Sequence, residues 1–214
     1  MTQEKRTARI NQALFRISQA LYQFRTLNTR LEFITREVRQ LLDVEGASVI
    51  LLDDVKKEFF FRESVFDNLD TGQRMKEIRF PVDKGVAGEV YRTGKALIVN
   101  DTSQSPFFNT WVDEQAGYRT HSMLDVPLVT QKRMIGVLCA VNKKDGSFTE
   151  VDLALLSTLA NLVALPIENV SINDALERTL QEVQSLNRAK NRVIHHLSHE
   201  LKTPLSVLSA SLSL

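Results

Sequence analysis

Where the apolar periodicity changes along this chain constrains its fold more than any other feature. From about Thr7 to Asp43, apolar residues recur at Ile10, Leu14, Ile17, Leu21, Phe24, Leu31, Val38 and Leu42, in steps of four and three with gaps at Asn28 and Thr35. That is the stripe of a helix. One continuous helix of this length would extend roughly 50 Å, and its early half, lacking a domain core, would need a partner helix. Two shorter helices broken near Thr26 to Asn28 are the alternative. Between Gly46 and Asn142 the pattern becomes that of strands: Ala47 to Leu52, Glu58 to Phe66, Glu77 to Val82, Ala96 to Val99, Ser122 to Thr130 and Met134 to Asn142. A short helix after Asp83 ends at Gly94, and residues 101–118 read as a long polar-aromatic loop. A turn at residues 131–133 joins the last two strands. Strands and helices mixed in this way suggest an antiparallel sheet with helices packed on one face. From Thr149 helix signals resume, opened by the capping box Thr149-Glu150-Val151-Asp152 and continuing nearly to the C-terminus. Pro166 is expected to kink that helix.

Composition excludes several function classes. An apolar fraction of 43% supports a normal core. Net charge is +1 with acids and bases interspersed, which gives no electrostatic footprint for nucleic acid. Cys139 is the single cysteine, so neither an intrachain disulfide nor a four-cysteine metal site can form within one chain. Its apolar setting, residues 135–141, reads as a buried strand. The N-terminus lacks the apolar run of a signal peptide, and no stretch reaches the ~18 apolar residues of a membrane span. Cytoplasmic localisation is the expectation.

Three stretches carry a resemblance across residues 27–170. They are Gly85-Val86-Ala87-Gly88-Glu89-Val90-Tyr91-Arg92-Thr93-Gly94-Lys95-Ala96 with Val99-Asn100-Asp101, then Ser122-Met123-Leu124-Asp125-Val126-Pro127-Leu128, then Ile135-Gly136-Val137-Leu138. Together they resemble the GAF domain, a small-molecule-sensing relative of the PAS fold. Asn142, Lys143, Phe148 and Asp152 match most of the N-K-F-D-E signature of cyclic-nucleotide GAF domains, with Leu153 where the closing Glu stands. Lys143 and Asp152 are expected to form an internal ion pair tying a strand to the following helix. The resemblance implies an α+β fold, a GAF-type (PAS-like) antiparallel sheet with helices, flanked by long N- and C-terminal coiled-coil helices. It also places a ligand between the sheet and residues 99–123. Phe107, Trp111, Tyr118, His121 and Met123 are the candidate ligand-binding residues there. Their rings either line a pocket for a small planar molecule or close a solid core. His121 is read as a hydrogen-bonding residue ahead of a haem ligand, and the identity of the GAF ligand is open.

The C-terminal helix carries the second resemblance. Its seam runs Ile172, Leu176, Thr179, Val183, Leu186, Lys190, Val193, Leu197, a heptad pattern with polar breaks at Thr179 and Lys190. The next steps, to Leu201 and Leu205, are fours, a stutter that locally unwinds a supercoil. At 100° per residue His199 lies about 200° from Leu197 and from Leu201, pointing off the seam. Ser198-His199-Glu200-Leu201-Lys202-Thr203-Pro204-Leu205 resembles the H-box of sensor histidine kinases. That resemblance implies His199 as phosphoacceptor, Glu200 as general base and Thr203 as the residue that positions water for dephosphorylation. It further implies a homodimer, a response-regulator receiver domain as partner, and ATP with Mg bound on a catalytic domain beyond Leu214. No cofactor and no metal site are expected within these residues. Residues 1–26 are read as an N-terminal helix, 27–170 as the sensor domain, 171–192 as a coiled-coil signalling helix and 193–214 as the start of the phosphoacceptor helix. The expected function is the sensory and phosphoacceptor portion of a protein-histidine kinase, inactive without its ATP-binding domain. The alternative is a non-catalytic ligand-binding and dimerisation module.

Overall fold

Two antiparallel strand pairs at the centre of the sheet set up everything else. The computed structural model describes residues 11–13, 15–20, 23–24, 26–131 and 133–211, with side chains described to Ile194 apart from residues 171, 174, 175 and 178. Strands β1 (Val44–Asp53), β2 (Glu58–Phe66), β3 (Arg79–Pro81), β4 (Leu97–Val99), β5 (Met123–Val129) and β6 (Met134–Lys143) form one antiparallel sheet in the order β3-β2-β1-β6-β5-β4. The near-continuous apolar run of β1 fits its place between β2 and β6, as does that of β6 between β1 and β5.

Side chains alternate between the two faces of each strand. Ala47, Val49 and Leu51 of β1, Leu124, Val126 and Leu128 of β5, and Leu138 and Ala140 of β6 enter one core. Ile50, Phe59, Phe61, Val137, Cys139 and Val141 enter the other. The sheet is therefore covered on both faces, not on one as the element pattern suggested. The first face is covered by helix α2 (Leu27–Leu42), through Leu31, Ile34, Val38 and Leu42, and by the start of helix α6 (Glu150–Ser211), through Leu156, Leu159, Val163 and Ile167. Fully burying each such side chain contributes about 1.5–3 kcal/mol. The second face is covered by helices α3 (Leu69–Glu77), α4 (Gly85–Thr93) and α5 (Trp111–Ala116), with Met75, Ala87, Val90 and Ala116 inside.

The N-terminal stripe is broken. Thr26 is extended at φ −104° and ψ 149°, and its hydroxyl accepts a hydrogen bond from the Thr29 amide at 3.3 Å, which caps α2. Residues 11–13 and 15–20 form a separate helix, α1, whose Ala13, Ile17 and Ala20 are buried, Ile17 within the α2–α6 core. Among the described residues of this early segment, Ile17 finds its apolar partners in the sensor core.

Two further expectations change. Helix α3 falls where no helix was expected; Asn68 caps it by accepting from the Asp70 amide at 2.9 Å. The presumed loop 101–118 contains a 3-10 turn at Thr102–Gln104 and helix α5. Helix α6 opens on the expected capping box. The Thr149 amide donates to Asp152 Oδ2 at 2.9 Å and the Asp152 amide to Thr149 Oγ1 at 3.4 Å. The helix continues through Pro166 and Pro204 as one element. Its segment Glu150–Val170 is long and apolar enough by composition to cross a bilayer, unlike the reading from apolar runs. Its apolar side chains Leu155, Leu156, Leu159, Val163 and Ile167 are nevertheless buried in the domain core.

The molecule divides into two compact units, Met1–Glu168 and Asn169–Leu214. In the second, Ile172, Leu176, Val183, Leu186 and Val193 are exposed on the single chain.

A cavity on the second face of the sheet

The face of the sheet beneath α3, α4 and α5 is incompletely filled. It holds a cavity of about 70 Å³ walled by Ile50, Phe61, Phe66, Met75, Phe80 and Met123, with polar groups from Ser48, Asn109, Asp113, Thr120 and Asp125. At ~10–15 Å³ per water position, that is room for roughly five to seven waters or one small molecule. Glycine and alanine at the start of α4, Gly85 and Ala87, keep the backbone close to the space.

Parity places Asp125 there. Leu124, Val126 and Leu128 of β5 face the α2–α6 core, so Met123 and Asp125 face the cavity beside Cys139, the cross-strand partner of Asp125. Asp125 is fully buried, and neither carboxylate oxygen accepts from an N–H or O–H group among the described residues. Burial pushes its pKa up to about 7, offset in part by the Cys139 thiol, a weak donor. Burial and the two nearby carboxyls, Asp125 and Asp113, push the Cys139 thiol well above its ordinary value, so it stays a neutral thiol. Asp113 of α5 is the better-served acid, accepting from the Thr120 amide at 2.6 Å and the Thr120 hydroxyl at 2.7 Å. Burial still leaves its pKa above the ordinary value, against the pull of those two bonds.

The residues of the N-K-F-D pattern lie off the cavity and hold the frame. Asn142 sits in the left-handed region at φ 56°, tolerated by Asn because its short amide bonds locally. Its Oδ1 accepts from the His121 amide at 2.7 Å, and its Nδ2 donates to Glu45 Oε2 at 2.9 Å and the Arg119 carbonyl at 2.9 Å. Lys143 Nζ donates to Asp152 at 3.0 Å and to the Leu42 carbonyl at 2.7 Å, the expected tie between strand and helix. Burial alone would raise the Asp152 carboxyl. Lys143 and the Thr149 amide and hydroxyl together outweigh it and hold the pKa below its ordinary value. Asn100 clips the approach to α6, accepting from the Phe148 amide at 2.8 Å and donating to its carbonyl at 3.1 Å.

Of the candidate ligand-binding residues, Met123 lines the cavity. Phe107 is 41% exposed and borders a surface groove with Lys84 and Arg92 instead. Trp111 is equally exposed, on the first turn of α5, and lines neither space. Tyr118 stacks edge-on against Phe66 at 5.0 Å and donates to Glu45 at 2.7 Å, behind the wall rather than in it. His121 is exposed, and its backbone, not its ring, is the part engaged. The rings that wall the space come mostly from strands: Phe61 and Phe66 of β2 and Phe80 of β3, joined by Phe108. The aromatic density of 101–118 drew the expectation to the loop, whereas a charged residue at an inward position of an apolar strand, Asp125, was the better signal. The side chains of His199, Glu200 and Thr203 lie outside the described residues; the backbone there is helical. Among the described residues no cluster of three or more His, Cys, Asp or Glu is arranged to hold a metal ion.

Comparison with known proteins agrees with this architecture. Residues 26–167 match the GAF domain family. A probable 3',5'-cyclic phosphodiesterase, pde-5, of Caenorhabditis elegans is 32% identical over 153 residues, covering 67% of this chain and 21% of that protein. The cone cGMP-specific 3',5'-cyclic phosphodiesterase subunit alpha' of Mus musculus is 32% identical over 133 residues, covering 62% of this chain and 15% of that protein. The alignment thus spans about a fifth or less of each relative's length. Among solved structures, the GAF domain from a phosphoenolpyruvate-protein phosphotransferase of Coxiella burnetii has a TM-score of 0.70 at 20% identity, covering 78% of this chain and 98% of that one, a likeness of fold. With its antiparallel sheet, its helices on both faces and its match over residues 26–167, this chain belongs to the GAF domain family.

Proposed function

We propose that this chain is a sensory module that binds a small molecule in the cavity beneath α3, α4 and α5. The observation that carries this reading is the cavity itself: an apolar, aromatic-walled space with a few convergent polar groups, the usual composition of a ligand site. The phosphodiesterase relatives, one of them named as cGMP-specific, make a cyclic nucleotide one candidate occupant. Against it, Leu153 replaces the last residue of the N-K-F-D-E pattern, and the remaining four residues hold the frame instead of facing the cavity. Native mass spectrometry of the purified chain, beside a denatured control, tests the reading. A non-covalent added mass on the folded chain, or one that appears on adding a small-molecule panel that includes cGMP, is the expected result. A chain that takes up none of them, with its thermal midpoint unmoved, would sink it.

A second reading rests on the C-terminal segment. Here the chain is the sensory and phosphoacceptor portion of a two-component histidine kinase, in the cytoplasm. The motif Ser198 to Leu205 and its place on the helix that leaves the GAF core both support it. A neutral imidazole is a competent nucleophile near pH 7. In this reading His199 accepts phosphate from ATP and Mg held on a separate catalytic domain. Glu200 takes or shares the ring proton, Thr203 orients water, and the phosphate passes to the aspartate of a receiver domain. Residues 171–192 form the dimeric signalling helix and 193–214 the start of the phosphoacceptor helix, with the exposed seam Ile172, Leu176, Val183 and Leu186 awaiting a second copy. The discriminating experiment supplies a histidine-kinase catalytic domain with ATP. Label on this chain that His199→Ala removes is expected; no label, or label that survives the substitution, leaves the non-catalytic GAF module standing alone.

A further inference from the structure

Asp125 has no partner stronger than the neighbouring Cys139 thiol, a weak donor, and that is unusual for a carboxylate buried this completely. Buried charges in proteins are paired, hydrogen-bonded or neutralised, because an unpaired one carries a large desolvation cost. Neither Asp125 oxygen is served by an N–H or O–H donor among the described residues, the residue is 0% exposed, and it lines the cavity. Every other polar wall group with comparable burial is already engaged. The Ser48 hydroxyl bonds Ser64 at 2.8 Å, and Thr120 donates to Asp113. Among the described residues no Lys, Arg or His lines the space, and its charged groups are the two carboxyls Asp113 and Asp125. Cross-strand Cys139 is a neutral thiol, and Ser48, opposite Cys139 on β1, is already bonded to Ser64.

We infer that the cavity selects a small organic cation bearing paired N–H donors, an amidinium or guanidinium or a primary ammonium on a short apolar body, with Asp125 as its counter-ion. This inference rests on the ligand-binding reading above and names the ligand's class. The two N–H groups of an amidinium match the two free oxygens of one carboxylate, the bidentate arrangement that makes charge-assisted bonds strong. Three phenylalanines in the wall, Phe61, Phe66 and Phe80, suit the same charge, since aromatic rings attract cations. An anionic ligand would meet two acids and no base. A neutral apolar ligand would leave the carboxyl as unsatisfied as before.

Protonation gives a second signature. The groups facing Asp125 are Cys139 from β6 and, across the cavity, Asp113 from α5; β4 contributes Leu97 opposite it in register. Free Asp125 titrates at about 7, so a cation binds against a bound proton below that pH and without competition above it. Affinity should rise about tenfold per pH unit up to neutrality and then level off.

The test uses three planar isosteres that differ in charge, isobutyramidinium, isobutyramide and isobutyrate, titrated calorimetrically into the full chain at pH 8. Binding of the amidinium alone, weakened at least tenfold in Asp125→Asn, is expected. Equal or tighter binding of the amide or carboxylate would overturn the inference while leaving the cavity as a ligand site. Amidinium binding untouched by Asp125→Asn would also overturn it, as would no binding by any of the three; native mass spectrometry then judges the ligand-binding reading separately. Should Asp125→Asn fail to fold, the wild-type profile decides. Affinity flat between pH 5.5 and 7, with no proton released in buffers of different ionisation enthalpy, would overturn the inference.

Discussion

Asp125 bears on stability as well as on the proposed recognition of a cation. A free aspartate titrates near 3.9, and in the folded chain this one titrates at about 7. Between those values the folded state holds a proton that the unfolded state has lost. Its contribution is therefore fully present below about pH 4 and is lost as pH rises through 7. Asp152 has the opposite sign: its pKa is lowered, so its contribution is lost only as pH falls below the ordinary carboxylate range. The two windows do not overlap. The ligand-free chain should be less stable at pH 8 than at pH 5 by an amount on the order of a few kcal/mol, read from urea unfolding at both pH values. Asp125→Asn should flatten that difference. A wild-type stability that rises from pH 5 to pH 8 would contradict the burial and isolation of this carboxyl. Asp125 itself was legible in Leu124-Asp125-Val126 as a charge inside an apolar alternation. Its lack of an N–H or O–H partner was not, because that depends on residues far away in the chain, on β1, β6 and α5.

Among the elements, those that carry their own punctuation were readable. The Gly94 stop of α4, the Thr149 and Asp152 capping box of α6 and the alternation in β2 are local patterns, and each element formed where they indicated. Elements whose signal is weak were missed. Helix α3 contains Gly72 and only modest apolar spacing. It is held by what it packs against, with Met75 in the core beside Phe66 and Phe80. Strand β6 shows how tightly the centre of the sheet is set. A Cβ at Gly136 would overlap the Ile50 carbonyl oxygen, which is backbone and cannot rotate away. Gly136→Ala should therefore cost about 3 kcal/mol or more in urea unfolding. Gly146→Ala, with open space but φ 74°, should cost only about 1 kcal/mol. Equal effects at the two positions would mean that β1 and β6 do not approach as closely as described.

At the scale of the whole molecule, the GAF unit is self-contained, whereas the Asn169–Leu214 unit leaves an apolar seam uncovered. Leu176, Val183 and Leu186 are 55%, 51% and 63% exposed on the single chain, far more than core leucines, and they are the face that the dimer of the phosphoacceptor proposal would bury. Sedimentation of the full chain should give a dimer, and Leu176→Lys with Leu186→Lys should give a monomer with an intact GAF domain by circular dichroism. A monomeric wild type would remove the dimeric step from the phosphoacceptor reading. By itself, the sequence determined the six strands of the sensor domain and its helices α2, α4 and α6, its family, the Lys143–Asp152 tie and the presence of the Ser198 to Leu205 motif. All of these rest on contiguous residues or on a short fixed spacing. Only the tertiary structure decided that α1 places Ile17 in the sensor core, that helices lie on both faces of the sheet, and that the cavity is walled by strand phenylalanines around Asp125 instead of by the aromatic loop. Each of those depends on which face of the sheet a side chain enters and on what arrives opposite it from elsewhere in the chain, which local periodicity does not encode.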